Sequence, residues 1–387
     1  MLLKNCRVLP GLSPFSQAAL ADIEIEEGKI RSVRPASGGA ASGGYINCGG
    51  KTLLPGLIDL HTHVTLLCGV GVGHEGDPMR LFLDAAGQAA RYLDYGFTTI
   101  RDCGSTHRAA NYVRDAVSEG LFDGPRVLSC GKIVQPSIEP PDTMINPADG
   151  VDGFRRGVRE EVAAKADFIK IYNSGSAFSR STRTGSPIME PAEVQKAVET
   201  AQVNGLYVAA HCHADSAIRD CILCGVKTIE HATYIRPETI DLLDGTRDCY
   251  LVPTLAAMFI SQTDPTERAA WEKFLNPMLE QCVKGIGLAY RAGKKLGFGT
   301  DSAPGGPQYE QGAEFTMRRD LCGMTDMDIL LQATKYSAEI AGLTDVGEIR
   351  EGMTADLILM DGHPDEDIAL MGRRPLKVWK SGKLVRG

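Results

Sequence analysis

Between residues 49 and 343, short β-rich runs alternate with longer amphipathic runs. The β-rich runs end at His61, Asp102, Gly131, Asn173, His213, His231, Thr254 and Asp301. The amphipathic runs between them include 78–95, 151–166, 191–204 and 271–294. Eight strands that alternate with helices are typical of an α/β protein with a parallel (β/α)8 TIM barrel, and such barrels usually take roughly 250 residues. We therefore predict a barrel domain over residues 53–344.

The two ends of the chain have a different pattern, with short alternating strands separated by turns. This pattern covers residues 1–52 and 345–387. We predict that the two segments pair as a small β-sandwich domain formed by both termini. The Gly-, Ala- and Ser-rich stretch at 37–44 is predicted to be a loop of that domain.

Composition narrows the range of partners. The formal net charge is -8 and no basic stripe stands out, so nucleic acid is not an expected partner. No apolar run is long enough for a signal peptide or a membrane span, and the 11 cysteines are typical of reduced thiols. We expect a cytoplasmic homo-oligomer that acts on a small molecule and contacts no membrane.

Polar side chains concentrate where the predicted barrel strands end. In a barrel the C-terminal strand ends face the active site, and side chains two apart on a strand point to the same face. Four of the eight histidines fall at these positions, which favours a metal site over isolated structural histidines. The candidate metal ligands are His61, His63, Lys170, His211, His231 and Asp301.

Lys170 is the unusual member of this set, because a protonated amine cannot ligate a metal. Two hypotheses remain open from the residues alone. Lys170 pairs with a nearby acid or with substrate, which the sequence favours slightly, or its amine is carboxylated by CO2. The resulting carbamate has two oxygens, which can bridge two metal ions.

Several motifs resemble the amidohydrolase superfamily and occur in that family's order over nearly the whole chain. They are LLPGLIDLHTHV, DFIKIYNSG, VAAHCHA, TIEHATY, GFGTDSA and the C-terminal GEIREGMTADLILMDGHPDEDI. The context of Lys170, followed by Ser174 and Gly175, resembles the prolidase-like branch, which includes metal-dependent dipeptidases and N-acyl amino acid hydrolases.

The resemblance implies two divalent ions, of zinc, and N6-carboxylation of Lys170 from CO2. It implies that His61, His63 and Asp301 hold one ion, that His211 and His231 hold the second, and that the modified lysine bridges them.

The implied reaction is attack of a metal-bridged hydroxide on an amide carbonyl. The resemblance also implies catalytic roles for individual residues. Asp301 takes the proton of the attacking water and delivers it to the departing amine. His213 is a candidate donor to the oxyanion, or a residue that orients a ligand. Tyr172 and Tyr234 are candidate contacts of the substrate carbonyl, with core packing as the alternative for at least one of them.

The loops at the predicted barrel mouth contain the candidate substrate-binding residues. The loop SGSAFSRSTRTGSP carries Arg180 and Arg183, where relatives usually have a second glycine and acidic residues. We predict that these arginines bind a substrate carboxylate, with solvated surface positions as the alternative. His107 and Tyr309 are further candidate contacts in mouth loops.

Three other residue patterns have competing interpretations. Glu230 precedes His231 and is expected to face the other way, in a structural role. Arg101 is a candidate carboxylate binder or a partner in an internal salt bridge. The pattern Gly71-x-Gly73-x-x-Gly76 lacks the strand-turn-helix setting of a dinucleotide site and is predicted to be a loop over the site.

Two other functions compete with hydrolysis of a dipeptide or an N-acyl amino acid. The first is hydrolysis of a cyclic amide or deamination of a heterocycle, as in imidazolonepropionase; Lys170 argues against it, because such members generally hold one metal. The second is an inactive amidohydrolase scaffold that acts through protein–protein contacts. Retention of all six candidate ligands argues against that function.

Overall fold

The computed structural model describes most of the chain. The described residues are 1–37, 44–67, 70–71, 76–138, 142–176, 182–246, 248–258, 265–302, 304 and 312–387. The predictions for Arg180, for Tyr309, for most of the loop at 37–44 and for the centre of the Gly71–Gly76 pattern lie outside these residues.

The strands are short and are spread along the chain. In order they are β1 Leu2–Val8, β2 Ala19–Glu26, β3 Lys29–Pro35, β4 Ile46–Asn47, β5 Thr52–Pro55, β6 Leu57–Thr62, β7 Leu66–Leu67, β8 Val70–Gly71, β9 Phe97–Asp102, β10 Arg126–Ser129, β11 Ile133–Gln135, β12 Ile145–Pro147, β13 Ile169–Tyr172, β14 Val208–Cys212, β15 Thr228–His231, β16 Tyr250–Val252, β17 Leu357–Met360, β18 Lys377–Lys380 and β19 Lys383–Arg386.

Helices separate the strands of the central region. They are α1 Pro78–Asp94, α2 Ala109–Ser118, α3 Gly150–Ala163, α4 Pro191–Val203, α5 Asp215–Leu223, α6 Pro237–Leu242, α7 Pro265–Arg291, α8 Ala313–Asp320, α9 Asp326–Leu331 and α10 Ser337–Ala341. A π-helical stretch, Gln332–Tyr336, joins the last two. Within the described part of the chain, no helix has both the length and the apolar character needed to cross a membrane.

The central strands form two parallel sheets. One has the order β10-β9-β6 and the other the order β12-β11-β13-β14-β15-β16. The backbone N–H of Asp167, just before β13, donates to the carbonyl of Ser129 at the end of β10 (2.8 Å) and so connects the two sheets. Parallel strands connected by helices confirm the α/β class.

Backbone hydrogen bonds also place the segment 296–301 between the two sheets at their other edges. The N–H of Leu60 on β6 donates to the carbonyl of Phe298 (2.8 Å), and the N–H of Gly297 donates to the carbonyl of Leu251 on β16 (2.9 Å). The segment brings Asp301 to the same edge as the C-terminal ends of β6 and β16. A closed eight-stranded ring stays a prediction.

Strands from both chain ends share one sheet, in the order β19-β18-β17-β5-β1-β2-β3, with β4 beside β1. β17 pairs antiparallel with β5, so that Leu357 lies opposite Pro55. The buried core on this shared sheet includes Leu3, Ile23 and Trp379. The association of the two termini is therefore present, whereas a sandwich of two facing sheets and the domain bounds at 52/53 and 344/345 stay predictions.

Local sequence explains where α1 begins. Asp77 caps α1, because its Oδ1 accepts from the backbone N–H groups of Met79 (3.2 Å) and Arg80 (3.1 Å), and Pro78 occupies the first turn. The buried face of α1 includes Leu81 and Leu93. The cap and the apolar face together fix where α1 begins and which side of it packs inward.

Candidate metal centre

The C-terminal ends of the parallel strands bring the six candidate ligands to one end of the sheets. His61 lies on β6, Lys170 on β13 and His211 on β14, while His231 is the last residue of β15. His63 follows β6 directly and Asp301 follows the segment 296–300. The five residues other than Asp301 are buried, with exposures of 6% or less.

The imidazole rings are close enough to share metal ions. The ring centroids of His61 and His231 lie 4.8 Å apart, and those of His211 and His231 lie 4.5 Å apart. Oδ1 of Asp301 lies 3.4 Å from Nε2 of His63 and 3.8 Å from Nε2 of His61. One potential ligand atom from each of His61, His231 and Asp301 lies within 4.8 Å of the other two, so residues of both implied ligand sets lie close together.

The hydrogen bonds that Nδ1 of His61 and Nδ1 of His63 donate set the tautomer of each ring. Nδ1 of His61 donates to Oε2 of Glu230 (2.8 Å), and Nδ1 of His63 donates to the carbonyl of Gly104 (2.8 Å). Both partners accept only, provided that the carboxyl of Glu230 is ionised. Each ring therefore keeps the lone pair of Nε2 for a ligand.

Two further histidines have hydroxyl partners. Nδ1 of His231 lies 2.7 Å from Oγ1 of Thr254, and Nδ1 of His213 lies 2.7 Å from Oγ1 of Thr233. A hydroxyl both donates and accepts, so these contacts fix the ring orientation without fixing the tautomer.

Burial keeps the imidazoles neutral, and neutral rings are the metal-binding form. Burial lowers the pKa of His63 to about 4 and that of His213 to about 3. It also lowers the pKa of His61, His211 and His231 well below the ordinary value of 6.5. The nearby Lys170 adds to the lowering at His61.

Lys170 provides the observation that tests whether metal ions fit this site. Its side chain is fully buried, and among the described residues its Nζ has no hydrogen-bond partner. Nζ lies 5.6 Å from the centroid of the Tyr172 ring. A buried amine without a partner is unfavourable, whereas neutral imidazoles, a carboxylate and a modifiable amine together form a donor set for divalent ions. The residues present therefore fit bound metal.

Asp301 combines access with burial. Its side chain is 20% exposed, and burial raises the pKa of its carboxyl from 3.8 to about 7, against the opposing effect of Lys170. Its backbone N–H donates to the carbonyl of His61 (2.8 Å). A carboxyl that titrates near neutrality at the edge of the site can exchange protons with a bound molecule.

The candidate tyrosines take different positions. The ring of Tyr172 stacks on His211 at 4.1 Å between centroids, and burial raises the pKa of the Tyr172 hydroxyl. The hydroxyl of Tyr234 lies 3.5 Å from Oγ1 of Thr184, in the loop after β13. The structure thus places Tyr172 against a candidate ligand and Tyr234 toward the predicted substrate loop.

Two of the described candidates for substrate recognition lie on the surface. The side chains of Arg183 and His107 are exposed. His107 has a positive φ of 54°, and its backbone N–H donates to the carbonyl of Thr143 (3.2 Å). Whether these two residues bind substrate stays a prediction.

The predicted orientation of Glu230, away from the site, is wrong, because its carboxylate contacts Nδ1 of His61 (2.8 Å). Strict alternation along β15 would place Glu230 and His231 on opposite faces. His231 has a positive φ of 69°, which ends the regular strand and lets both side chains reach the interior. Arg101 forms the internal salt bridge, with Nη2 2.7 Å from Oε1 of Glu230.

The spacing of residues along the two strands could have revealed the pair of Arg101 and Glu230. Thr228 and Glu230 are two apart on β15, as Thr99 and Arg101 are on β9, and inward-facing positions follow that period.

Comparison with known proteins agrees with this architecture. The model of the amidohydrolase family matches residues 52–385. Ochratoxinase of Aspergillus niger is 29% identical over 378 residues, which cover 87% of this chain and 76% of that protein.

Solved structures align over the full chain. A prolidase in complex with N-methylphosphonate-L-proline is 27% identical with a TM-score of 0.87, and the match covers 100% of this chain and 99% of that one. A Xaa-Pro dipeptidase with methionine in its active site is 26% identical with a TM-score of 0.86, over 100% and 99% of the two chains.

Proposed function

The chain belongs to the amidohydrolase family, in its prolidase-like branch, and we propose that it hydrolyses the amide bond of a dipeptide or an N-acyl amino acid with two bound divalent ions. One observation carries the proposal. The buried Nζ of Lys170, which has no partner among the described residues, lies among buried neutral histidines at the strand ends. An unpaired amine at this position is better explained by its conversion to a metal-binding carbamate than by a structural role.

The proposed ligands divide into two sets. His61, His63 and Asp301 would hold one ion, and His211 and His231 the other. The close approach of Asp301 to Nε2 of His63 (3.4 Å) supports the first set, and the 4.5 Å between the rings of His211 and His231 supports the second. Divalent ions, for which we propose zinc, lower the pKa of water toward neutrality and polarise a carbonyl when bound.

We propose that Lys170 is carboxylated. Its neutral amine attacks CO2, a carbon–nitrogen bond forms, and one proton leaves to solvent, so that the product is a carbamate anion. The modification converts an unpaired buried donor into an anion with two oxygens, which suits a position between two cations.

Asp301 is the proposed proton shuttle. As the ionised base, its carboxylate accepts a proton when water attacks the amide carbonyl, and the protonated form donates it to the departing amine. We propose that His213, whose Nδ1 lies 2.7 Å from Oγ1 of Thr233, donates to the developing oxyanion. Tyr172, whose ring stacks on His211, is proposed as a second contact with the carbonyl.

The proposed substrate bears a free carboxylate. Support comes from the two solved relatives, which are named as a prolidase bound to an L-proline derivative and a Xaa-Pro dipeptidase bound to methionine. We propose that Arg180, Arg183, Tyr234 and His107 contact this substrate.

The hydrogen bonds that connect the two parallel sheets support a closed (β/α)8 barrel over 53–344, with the shared sheet of the two termini beside it. We propose that the ring of strands positions the six ligands at one mouth.

An assay of the purified full chain tests the function. Protein prepared with zinc and bicarbonate is assayed against Xaa-Pro and other dipeptides and against N-acyl amino acids, with release of free amino acid as the readout. We expect turnover that is lost on chelation and restored by zinc. Absence of turnover across the panel, in protein shown to carry two ions per chain, would refute the proposal.

A further inference from the structure

A chain of three buried charged or polar side chains lies directly beneath the candidate metal centre. Nδ1 of His61 is 2.8 Å from Oε2 of Glu230, and Oε1 of Glu230 is 2.7 Å from Nη2 of Arg101. All three side chains are at most 1% exposed. They come from β6, β15 and β9, so the contact spans the interior between the two parallel sheets.

Arg101 is held in place by further contacts. Its Nε donates to the carbonyl of Leu60 (2.5 Å), and its Nη1 donates to Oγ1 of Thr228 (3.0 Å). The hydroxyl of Thr228 in turn donates to Oε1 of Glu230 (2.6 Å), and the guanidinium carbon lies 5.1 Å from the centroid of the Phe168 ring. These contacts leave the Glu230 carboxylate little freedom to rotate away from His61.

His61 differs from the other site histidines in the partner of its ring. Among the site histidines, across the described residues, it is the one whose Nδ1 contacts a carboxylate; Nδ1 of His63 contacts a carbonyl, and Nδ1 of His213 and of His231 contacts a hydroxyl. His211 makes its contact through Nε2, which lies 3.4 Å from the carbonyl of Gly175. A carboxylate holds the Nδ1–H tautomer more firmly than a hydroxyl does, because an ionised acceptor makes a stronger hydrogen bond and cannot donate.

His61 and Glu230, together with Cys103, could instead suggest a separate metal site. Potential ligand atoms of His61, Cys103 and Glu230 lie within 4.8 Å of one another. The guanidinium of Arg101 already supplies the positive charge at Glu230, and a cation beside it would be repelled. The geometry therefore favours a role of Glu230 in orienting His61 over a further metal site.

We propose that Arg101 and Glu230 act as a positioning pair, which holds His61 with a free Nε2 and so sets the affinity of the metal position that His61 occupies. The inference rests on the proposed function, since it requires His61 to be a ligand. Arg101 neutralises the buried carboxylate, and the carboxylate orients the imidazole.

The substitution Glu230→Gln tests the pair. The glutamine amide can turn its NH2 toward Nδ1, which favours the tautomer with hydrogen on Nε2 and blocks the lone pair that binds metal. Zinc affinity is measured on the full chain by competition with a chromophoric chelator. We expect one ion to bind about 10–100-fold more weakly, and the absorption spectrum of the cobalt-loaded protein to change.

Glu314→Gln is the matched control. Glu314 is also a buried carboxylate paired with a fully buried arginine, since its Oε1 lies 2.7 Å from Nε of Arg318. This pair contacts none of the candidate ligands, so the control should lower thermal stability and leave zinc affinity and the cobalt spectrum unchanged. If Glu230→Gln does not fold, Thr228→Val replaces it, with an expected loss of roughly 3–10-fold in affinity for the same ion.

The outcomes separate the two proposals. Wild-type affinity in Glu230→Gln, or in Thr228→Val where that variant is used, would overturn the positioning pair. Binding of two ions without hydrolysis of any substrate would overturn the proposed function and leave the pair in place. A wild-type chain that binds no zinc would overturn both.

Discussion

Replacing Lys170 by methionine should change the stability of the metal-free and metal-loaded protein in opposite directions. The buried Nζ lacks a hydrogen-bond partner among the described residues, and such a group costs about 1–3 kcal/mol. Methionine fills a similar volume without a polar group. We therefore expect Lys170→Met to raise the unfolding free energy of the metal-free protein by about 1–3 kcal/mol.

The corresponding temperature shift follows from chain size. An unfolding entropy of about 2.1 cal/mol/K per residue gives about 0.8 kcal/mol/K for 387 residues. One kcal/mol then shifts Tm by about 1 °C, so metal-free Lys170→Met should melt roughly 1–4 °C above the wild type. Differential scanning fluorimetry at low bicarbonate, after chelation and dialysis, resolves such a shift.

With metal bound, the wild type should be more stable than Lys170→Met. A ligand at 100 times its Kd stabilises the folded state by about 2.7 kcal/mol, and the wild type should gain this amount from each ion when zinc and bicarbonate are added. Lys170→Met cannot form the carbamate, so it should gain little.

Lys4→Met is the control. Lys4 is another buried lysine, whose Nζ lies 4.0 Å from Asp22, and its loss should lower Tm with and without zinc. A lower metal-free Tm for Lys170→Met, or an undiminished response to zinc, would refute the reasoning about the unpaired amine.

Three further outcomes test the site. Asp301→Asn should lower kcat by roughly 100- to 10,000-fold with KM within a few-fold, measured at confirmed metal occupancy; an unchanged kcat would remove Asp301 as the proton shuttle. Metal analysis after zinc reconstitution should find two ions per chain, whereas one would favour cyclic amide hydrolysis or deamination. Arg183→Ala should raise KM about tenfold for a dipeptide and leave KM unchanged for its C-terminal amide; equal effects on both would argue against carboxylate recognition by this exposed side chain.

Sequence patterns predicted the strands well where apolar runs end abruptly at a polar residue. The predicted ends at Asp102 and His231 coincide with the ends of β9 and β15, and the predicted helix at 191–204 matches α4 within one residue. The run ending at Asp301 forms a single bridge, between Leu251 and Leu296, together with isolated backbone hydrogen bonds. Two glycines in that segment, Gly297 and Gly299, reduce its strand propensity, so its pairing depends on neighbours that the sequence does not reveal.

The candidate ligands could be predicted because they lie at or near the C-terminal ends of predicted strands, whereas the groups that orient them could not. Gly104 contributes a backbone carbonyl to His63, and any residue can do so. Thr254, two residues beyond the neighbouring strand β16, contributes a hydroxyl to His231, and threonine is common in and around strands for packing alone. These partners are defined by three-dimensional proximity, which residue type does not encode.

Two of the candidate ligands depend on backbone conformations that non-glycine residues rarely adopt. His231 has φ 69° and Asp301 has φ 50°, and such conformations cost of order 1–3 kcal/mol each. Hydrogen bonds hold both in place: Nδ1 of His231 contacts Thr254 (2.7 Å), and the N–H of Asp301 donates to the carbonyl of His61 (2.8 Å). A regular strand would send alternate side chains away from the site, so leaving the strand at these two points is what lets His231 and Asp301 approach His61 to within ligand distance. The surrounding structure therefore offsets the strain at these two positions, where the unusual backbone orients the candidate ligands.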